Sequence, residues 1–112
     1  MATSIIPKQL LSGDLFVSPG KSVPSGETLT ITFIETTRAN GLISISGSNM
    51  NRMALYAFSG LNGATPTVNR LCGADLDAYI TTGTGTISFT PNYSAVVKVF
   101  ALNNAGEITV SV

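Results

Sequence analysis

Side chains that could carry out catalysis are scarce in this chain of 112 residues, which has no histidine, one cysteine, and six acidic against six basic residues. Enzymes usually transfer protons with histidine, or with carboxylates and lysines in perturbed environments. A cysteine nucleophile needs a neighbouring base, so Cys72 is better explained as a small buried hydrophobic residue at the end of a strand. The composition therefore favours a structural or binding protein over an enzyme.

Asp75 and Asp77 form the one close pair of acidic residues. Two positions apart in an extended segment, they share a face and could offer two oxygens to Ca²⁺. A calcium site normally adds a third oxygen side chain and backbone carbonyls, and none is obvious nearby in the sequence. We therefore expect a polar turn before a strand, with no metal and no cofactor.

Asparagine, arginine and tyrosine side chains in predicted turns could contact a carbohydrate. Arg52 and Arg70 each follow an asparagine and could bind a sugar or a carboxylate in bidentate fashion; alternatively they are solvated or form ion pairs between subunits. Tyr93, in the turn PNYS, is the tyrosine expected to be most exposed, as a stacking platform or as a turn residue folded over the end of the domain. The candidate glycan contacts are Asn49, Asn51, Arg52, Asn62 and Tyr93.

The elements that would position these residues are strands. Residues 27–36 alternate apolar side chains with threonines, which predicts a half-buried strand. Asn40–Gly41 predicts a hairpin turn within residues 38–41, and further turns are predicted at 18–26, 61–65 and 103–106. Residues 53–60 are apolar on both faces and should lie centrally, and residues 74–82 should form another strand.

Turn signals recur every 8–12 residues, a spacing typical of all-β domains. The prediction is an antiparallel β-sandwich or jelly roll of about eight or nine strands over residues 13–112. Residues 1–12, which include several apolar side chains, are predicted to form an extended N-terminal arm or at most one short turn. The predicted core consists of Leu29, Ile31, Phe33, Ile43, Ile45, Leu55, Val97, Val99, Ile108 and Val110.

Charged residues make up 11% of the chain and the formal net charge is zero, less than half the usual charged share of about 25%. There is no basic surface for nucleic acid, no secretion signal and no apolar run long enough to cross a membrane. Apolar residues on both faces of two predicted strands, together with the apolar arm, predict a homo-oligomer, most simply a trimer.

The segment GLISISGSNMNRMALYAFSG, a threonine-rich hairpin and the ending SAVVKVFALNNAGEITVSV resemble small all-β domains of bacteriophage appendage proteins, over about residues 27–112. The resemblance implies a non-enzymatic virion protein of a tail fibre, head fibre or receptor-binding module, made in the host cytoplasm and displayed on the virion surface. It implies trimers, contacts with other virion proteins through the arm, and contact with host-surface glycans. The alternative is a carbohydrate-binding, lectin-like module.

Overall fold

The computed structural model describes residues 15–34, 37–105 and 108–112. These residues form ten strands in two antiparallel sheets, with two short 3-10 turns at Met50–Arg52 and Asp77–Tyr79. The larger sheet contains β1 (Leu15–Val17), β2 (Lys21–Val23), β4 (Arg38–Ser46), β5 (Ala54–Leu61), β6 (Thr67–Gly73) and β9 (Ala95–Ala105). The smaller sheet contains β3 (Leu29–Phe33), β7 (Ile80–Gly83), β8 (Thr86–Phe89) and β10 (Ile108–Ser111). The predicted all-β, antiparallel sandwich is confirmed.

One edge of the larger sheet is a strand interrupted in its middle. β1 and β2 both pair with β9, and the order continues through β4 and β5 to β6. Between β1 and β2, buried Ser18 donates its N–H to the Val99 carbonyl at 2.9 Å, and its Oγ accepts the Val99 N–H at 2.9 Å. The serine side chain thus maintains the ladder where Pro19, which has no N–H, follows.

The core lies between the two sheets and is filled from alternate positions of both. Phe33 of the smaller sheet packs against Phe58 of the larger one, with ring centroids 5.9 Å apart. Eight predicted core residues are buried, and Val110 is half-buried against them. Leu55 was wrongly expected in the core. Its neighbour Tyr56 is buried instead, because β5 is apolar on both faces and the pattern does not set which face turns inward.

The Asn-Gly pair at 40–41 does not make the predicted turn, since β4 runs through it from Arg38 to Ser46. A Cβ added at Gly41 would overlap the Phe100 carbonyl oxygen of β9. The glycine therefore permits a close approach of two strands. The turn predicted at 61–65 is confirmed, because it joins β5 to β6.

Three other boundaries differ from the prediction. The turn predicted at 18–26 contains β2, and Asp77–Tyr79 is a 3-10 turn before β7. β9 continues to Ala105 through the turn predicted at 103–106. In each case the pairing with a neighbouring strand, or the packing of a turn, outweighs local residue preference.

Cys72 is exposed, so its predicted burial is wrong. It lies on β6, an edge strand, where it pairs with Leu55 of β5. An edge strand has a neighbour on one side alone, which leaves its side chains more accessible. The predicted arm at residues 1–12 lies outside the described residues. Within the described residues no helix is long and apolar enough to cross a membrane.

Candidate functional site

The connection between β4 and β5 brings together three of the predicted glycan contacts. Asn49 precedes the 3-10 turn Met50–Arg52, and its Oδ1 accepts the Asn51 N–H at 3.0 Å. Arg52 Nη1 donates to Ser48 Oγ at 3.4 Å. Met50, at the tip of this loop, has 85% of its surface exposed. The loop therefore presents an apolar tip beside exposed amides.

Tyr93 contacts this loop from its buried side and does not form an exposed platform. It is 6% exposed, so the expectation that it is the most exposed tyrosine is wrong, whereas the alternative of a turn residue folded over the end of the domain agrees with the structure. The Arg52 guanidinium lies 5.1 Å from the centroid of its ring, and Tyr79 packs edge-on at 5.9 Å. Its hydroxyl donates to the Arg52 carbonyl at 3.4 Å, and burial raises the pKa of this phenol. Tyr93 therefore supports the loop, since the Arg52 side chain packs on its ring.

The sequence contained a signal for this burial. Tyr93, Ala95, Val97 and Val99 are all buried, so the inward alternation of β9 extends back into the PNYS turn. A turn residue in phase with the following strand shares that strand's buried face.

Asn62 lies apart from the other four candidates. It follows the eight-residue strand β5, whereas Asn49, Asn51 and Arg52 precede it, and at about 3.3 Å per residue the two ends lie more than 20 Å apart. Its Nδ2 donates to the Phe33 carbonyl at 2.8 Å. Four candidates therefore lie at one end of the sandwich, and Asn62 ties a turn to the smaller sheet at the other.

The acidic pair is joined to a buried tyrosine that the sequence analysis missed. Tyr56, 1% exposed, donates its hydroxyl to Asp77 Oδ1 at 2.6 Å and accepts the Leu76 N–H at 2.9 Å. Burial, followed by the hydrogen bond to Asp77, raises the pKa of Tyr56 to about 12. Asp75 Oδ1 accepts the Asp77 N–H at 3.1 Å. Asp77 therefore anchors the loop to the core, and Asp75 stabilises the turn locally.

No group of three or more metal-ligating side chains occurs in the part of the chain that the structure describes. Arg70, the other arginine considered as a ligand contact, donates Nη1 to the Gly73 carbonyl at 3.0 Å and so closes the end of β6 on itself.

The outer faces of the two sheets differ in chemistry. Among the described strands, the outward positions of the smaller sheet carry hydroxyls, with Gly83 as the exception. These positions are Thr30, Thr32, Thr81, Thr86, Ser88, Thr109 and Ser111. The larger sheet instead turns several apolar residues outward, of which Val17 and Val96 are 42% and 45% exposed. Leu42, Leu55 and Phe100 are half-buried on the same face, next to exposed Lys98.

An open groove of about 390 Å³ lies on the larger sheet beside the turn between β5 and β6. It is lined by residues of three strands and of this turn, so no local sequence motif connects them.

No protein-family model matches the chain, and neither curated proteins nor solved structures include a significant match.

Proposed function

We propose that this chain is a non-enzymatic structural subunit that assembles with copies of itself through the outer face of its larger sheet. In line with its resemblance to small all-β domains of bacteriophage appendage proteins, we propose that the assembly is a trimeric virion appendage. The observation that carries the proposal is the contrast between several outward apolar residues on one sheet and a hydroxyl-covered outer face on the other.

The register of the larger sheet gathers outward apolar residues into one surface. Val17 of β1 pairs with Phe100 of β9, and Phe100 pairs with Leu42 of β4. Val96 lies on the same face of β9, four pairs further along, with Lys98 between it and Phe100. We name Val17, Leu42, Val96 and Phe100 the apolar patch. A contiguous exposed apolar surface is characteristic of a protein interface, whereas isolated apolar residues are not.

A second copy of the same chain is the occupant that the composition favours. On the described outward positions of β4, β5 and β9 the charged residues are Lys98, which lies within the patch, and Arg38, at the far end of β4. The chain as a whole has zero formal charge, so little electrostatic repulsion opposes association between copies. Around a threefold axis the three patches would face one another and exclude water from their apolar side chains.

We propose that the N-terminal arm, residues 1–12, strengthens the same contact. The chain enters the described fold at Leu15, in β1, at the edge of the sheet that carries the apolar patch. The preceding residues include Ile5, Ile6, Leu10 and Leu11. At a reach of up to about 3.3 Å per residue, the arm is long enough to contact a neighbouring subunit or another virion protein.

Light scattering coupled to size exclusion tests the assembly. The wild-type protein should have a mass about three times the 11.6 kDa of the chain. The double variant Val17→Lys with Val96→Lys should shift toward the monomer, because two buried ammonium groups would be desolvated in the interface.

The matched control is Thr81→Lys with Thr109→Lys, which adds the same two charges at exposed positions of the other outer face. This control should keep the wild-type mass. A monomeric wild type, or equal dissociation of both double variants, contradicts assembly through the patch.

Immunogold labelling tests the virion part of the proposal separately. An antibody against the protein should label phage particles purified from the source culture. Protein found wholly in fractions free of particles contradicts a virion location while leaving the assembly intact.

A further inference from the structure

We propose that the groove beside the β5–β6 turn is a binding site for a carboxylate-bearing saccharide. Six of its lining residues carry the argument: Arg38, Asn40, Ser59, Leu61, Thr65 and Thr67. We name these residues the Arg38 groove. These residues lie outside the apolar patch but on the same outer face of the larger sheet, so the inference requires that the β5–β6 end of this face stays uncovered in the proposed assembly.

Strand register brings the polar residues of the Arg38 groove into a row. Asn40 of β4 pairs with Ser59 of β5, and Ser59 pairs with Thr67 of β6. All three side chains are exposed. Adjacent strands lie about 4.8 Å apart, so the row offers three neutral hydrogen-bonding groups at regular intervals across the sheet.

Arg38 supplies the charge at one end of this row. It pairs with Leu61, one step beyond the Asn40–Ser59 pair on the same face. The guanidinium makes no hydrogen bond or ion pair with any residue that the structure describes. Arginine presents a planar fork of donors that matches a carboxylate in bidentate fashion. An anionic group in the groove would therefore find an available partner.

The other groups fit a polyhydroxylated molecule. Serine and threonine hydroxyls and the asparagine amide can each donate and accept, as sugar hydroxyls do. Leu61 is 48% exposed and offers an apolar contact for the carbon face of a sugar ring. The groove volume of about 390 Å³ falls within the range of small-molecule sites, about 300–1,000 Å³. An extended peptide could pair with the backbone at the edge strand β6 alone, since β4 and β5 are paired on both sides.

Calorimetric titration with trigalacturonic acid tests the site, with its fully methyl-esterified form as the matched neutral ligand. The acid should bind the wild-type protein at least about tenfold more tightly than the ester, since the two trisaccharides differ in charge and not in their ring hydroxyls. Arg38→Met should weaken binding of the acid by about tenfold or more and remove the preference for it, because a charge-assisted contact is lost.

Arg70→Met is the control variant. It removes the same charge from the same sheet, at a residue outside the groove, and should bind the acid as the wild type does. Melting temperatures of both variants verify folding. Chemical shift changes should centre on the backbone amides of Asn40, Ser59 and Thr67.

Three results would overturn the inference. One is equal affinity for the acid and its ester; another is equal weakening by Arg38→Met and Arg70→Met. The third is inorganic sulfate binding as tightly as the trisaccharide, which would show a site for simple anions.

Discussion

The two sheets of the sandwich share a core, but their outer faces differ in chemistry. Strand β3 of the smaller sheet alternates buried Leu29, Ile31 and Phe33 with outward threonines. Strand β9 of the larger sheet alternates buried Val97 and Val99 with outward Val96, Lys98 and Phe100. Inward positions are thus apolar in both sheets, and the difference lies in the outward positions alone.

Threonine explains how the outer face of the smaller sheet can be polar almost without charged residues. Its β-branched side chain favours the extended backbone as valine does, and its hydroxyl remains hydrogen-bonded to water. Thr28 and Thr90 show a further use of these groups, since their hydroxyls lie 2.7 Å apart. Strand formation therefore does not require an apolar outer face. The apolar patch of the larger sheet needs another explanation, and we propose that this explanation is assembly.

The largest expected effect comes from testing the two faces of one strand. Ile31→Ala should lower the free energy of unfolding by about 2–5 kcal/mol, because it leaves a cavity between the sheets. Thr32→Ala, one residue away and half-exposed on the outer face, should change it by about 0.5 kcal/mol or less. Urea denaturation of both variants measures the contrast, and similar losses would show that the outer face of β3 is covered.

A smaller effect is expected when a hydroxyl is removed from the core. Tyr56→Phe deletes the group that donates to Asp77 and accepts the Leu76 N–H. It should destabilise the protein by about 1–3 kcal/mol at neutral pH, because a buried donor loses its partner. A hydroxyl inside the sandwich is thus expected to contribute more than one on its surface.

The difference in unfolding free energy between the wild type and Tyr56→Phe should depend on pH, because burial raises the pKa of Tyr56 to about 12. An unfolded tyrosine has a pKa of about 10, so the folded protein holds the phenol proton more tightly. The resulting stabilisation is complete below pH 10 and is lost as the pH rises from 10 to about 12.

The gap between wild type and Tyr56→Phe should accordingly narrow by about 1.4 kcal/mol between pH 8 and 11. Urea denaturation at both pH values measures it, and the lysines titrate equally in the two proteins. A gap that stays constant over this range would show that Tyr56 is not held as described.

The contrast between the faces also shows where sequence patterns are informative. In β3 one face is apolar and the other is polar, so the register follows from alternation. In β5 Leu55, Tyr56, Ala57 and Phe58 are all apolar, and the inward set is decided by pairing with β4 and β6. That pairing was not in the pattern, which is why Leu55 was expected inside.

Candidate sites were likewise predictable where their residues are close in the sequence, and not where strand pairing brings them together. Asn49, Asn51 and Arg52 are neighbours in the sequence, and they lie together in the structure. The Arg38 groove joins residues of three strands, so its composition depends on register that no local motif records. The Tyr56–Asp77 hydrogen bond likewise spans two elements 21 positions apart.

Converting the smaller sheet to the chemistry of the larger one should change association more than stability. The triple variant Thr30→Val, Thr32→Val and Thr86→Val keeps β-branched side chains on three outward, half-exposed positions. Its free energy of unfolding should change by about 1 kcal/mol or less, since β propensity is retained. Its mass by light scattering should rise above that of the wild type, because the new apolar face creates a second contact surface.

The opposite outcome would be as informative. An unchanged mass at micromolar concentration would show that a flat apolar sheet face does not suffice for association in this fold. In that case the apolar patch would form an interface only together with the N-terminal arm.

The smallest effect is expected at the loop between the two sheets, where metal removal should do nothing. Asp75 Oδ1 and Asp77 Oδ1 each already accept a hydrogen bond from within the protein. With no third ligating side chain among the described residues, the pair is too small for a calcium site. The melting temperature should therefore be the same in a chelator and in millimolar calcium. A fall of ten degrees or more in the chelator would assign Asp75 and Asp77 to a cation, and Asp75→Asn should then reproduce that fall without the chelator.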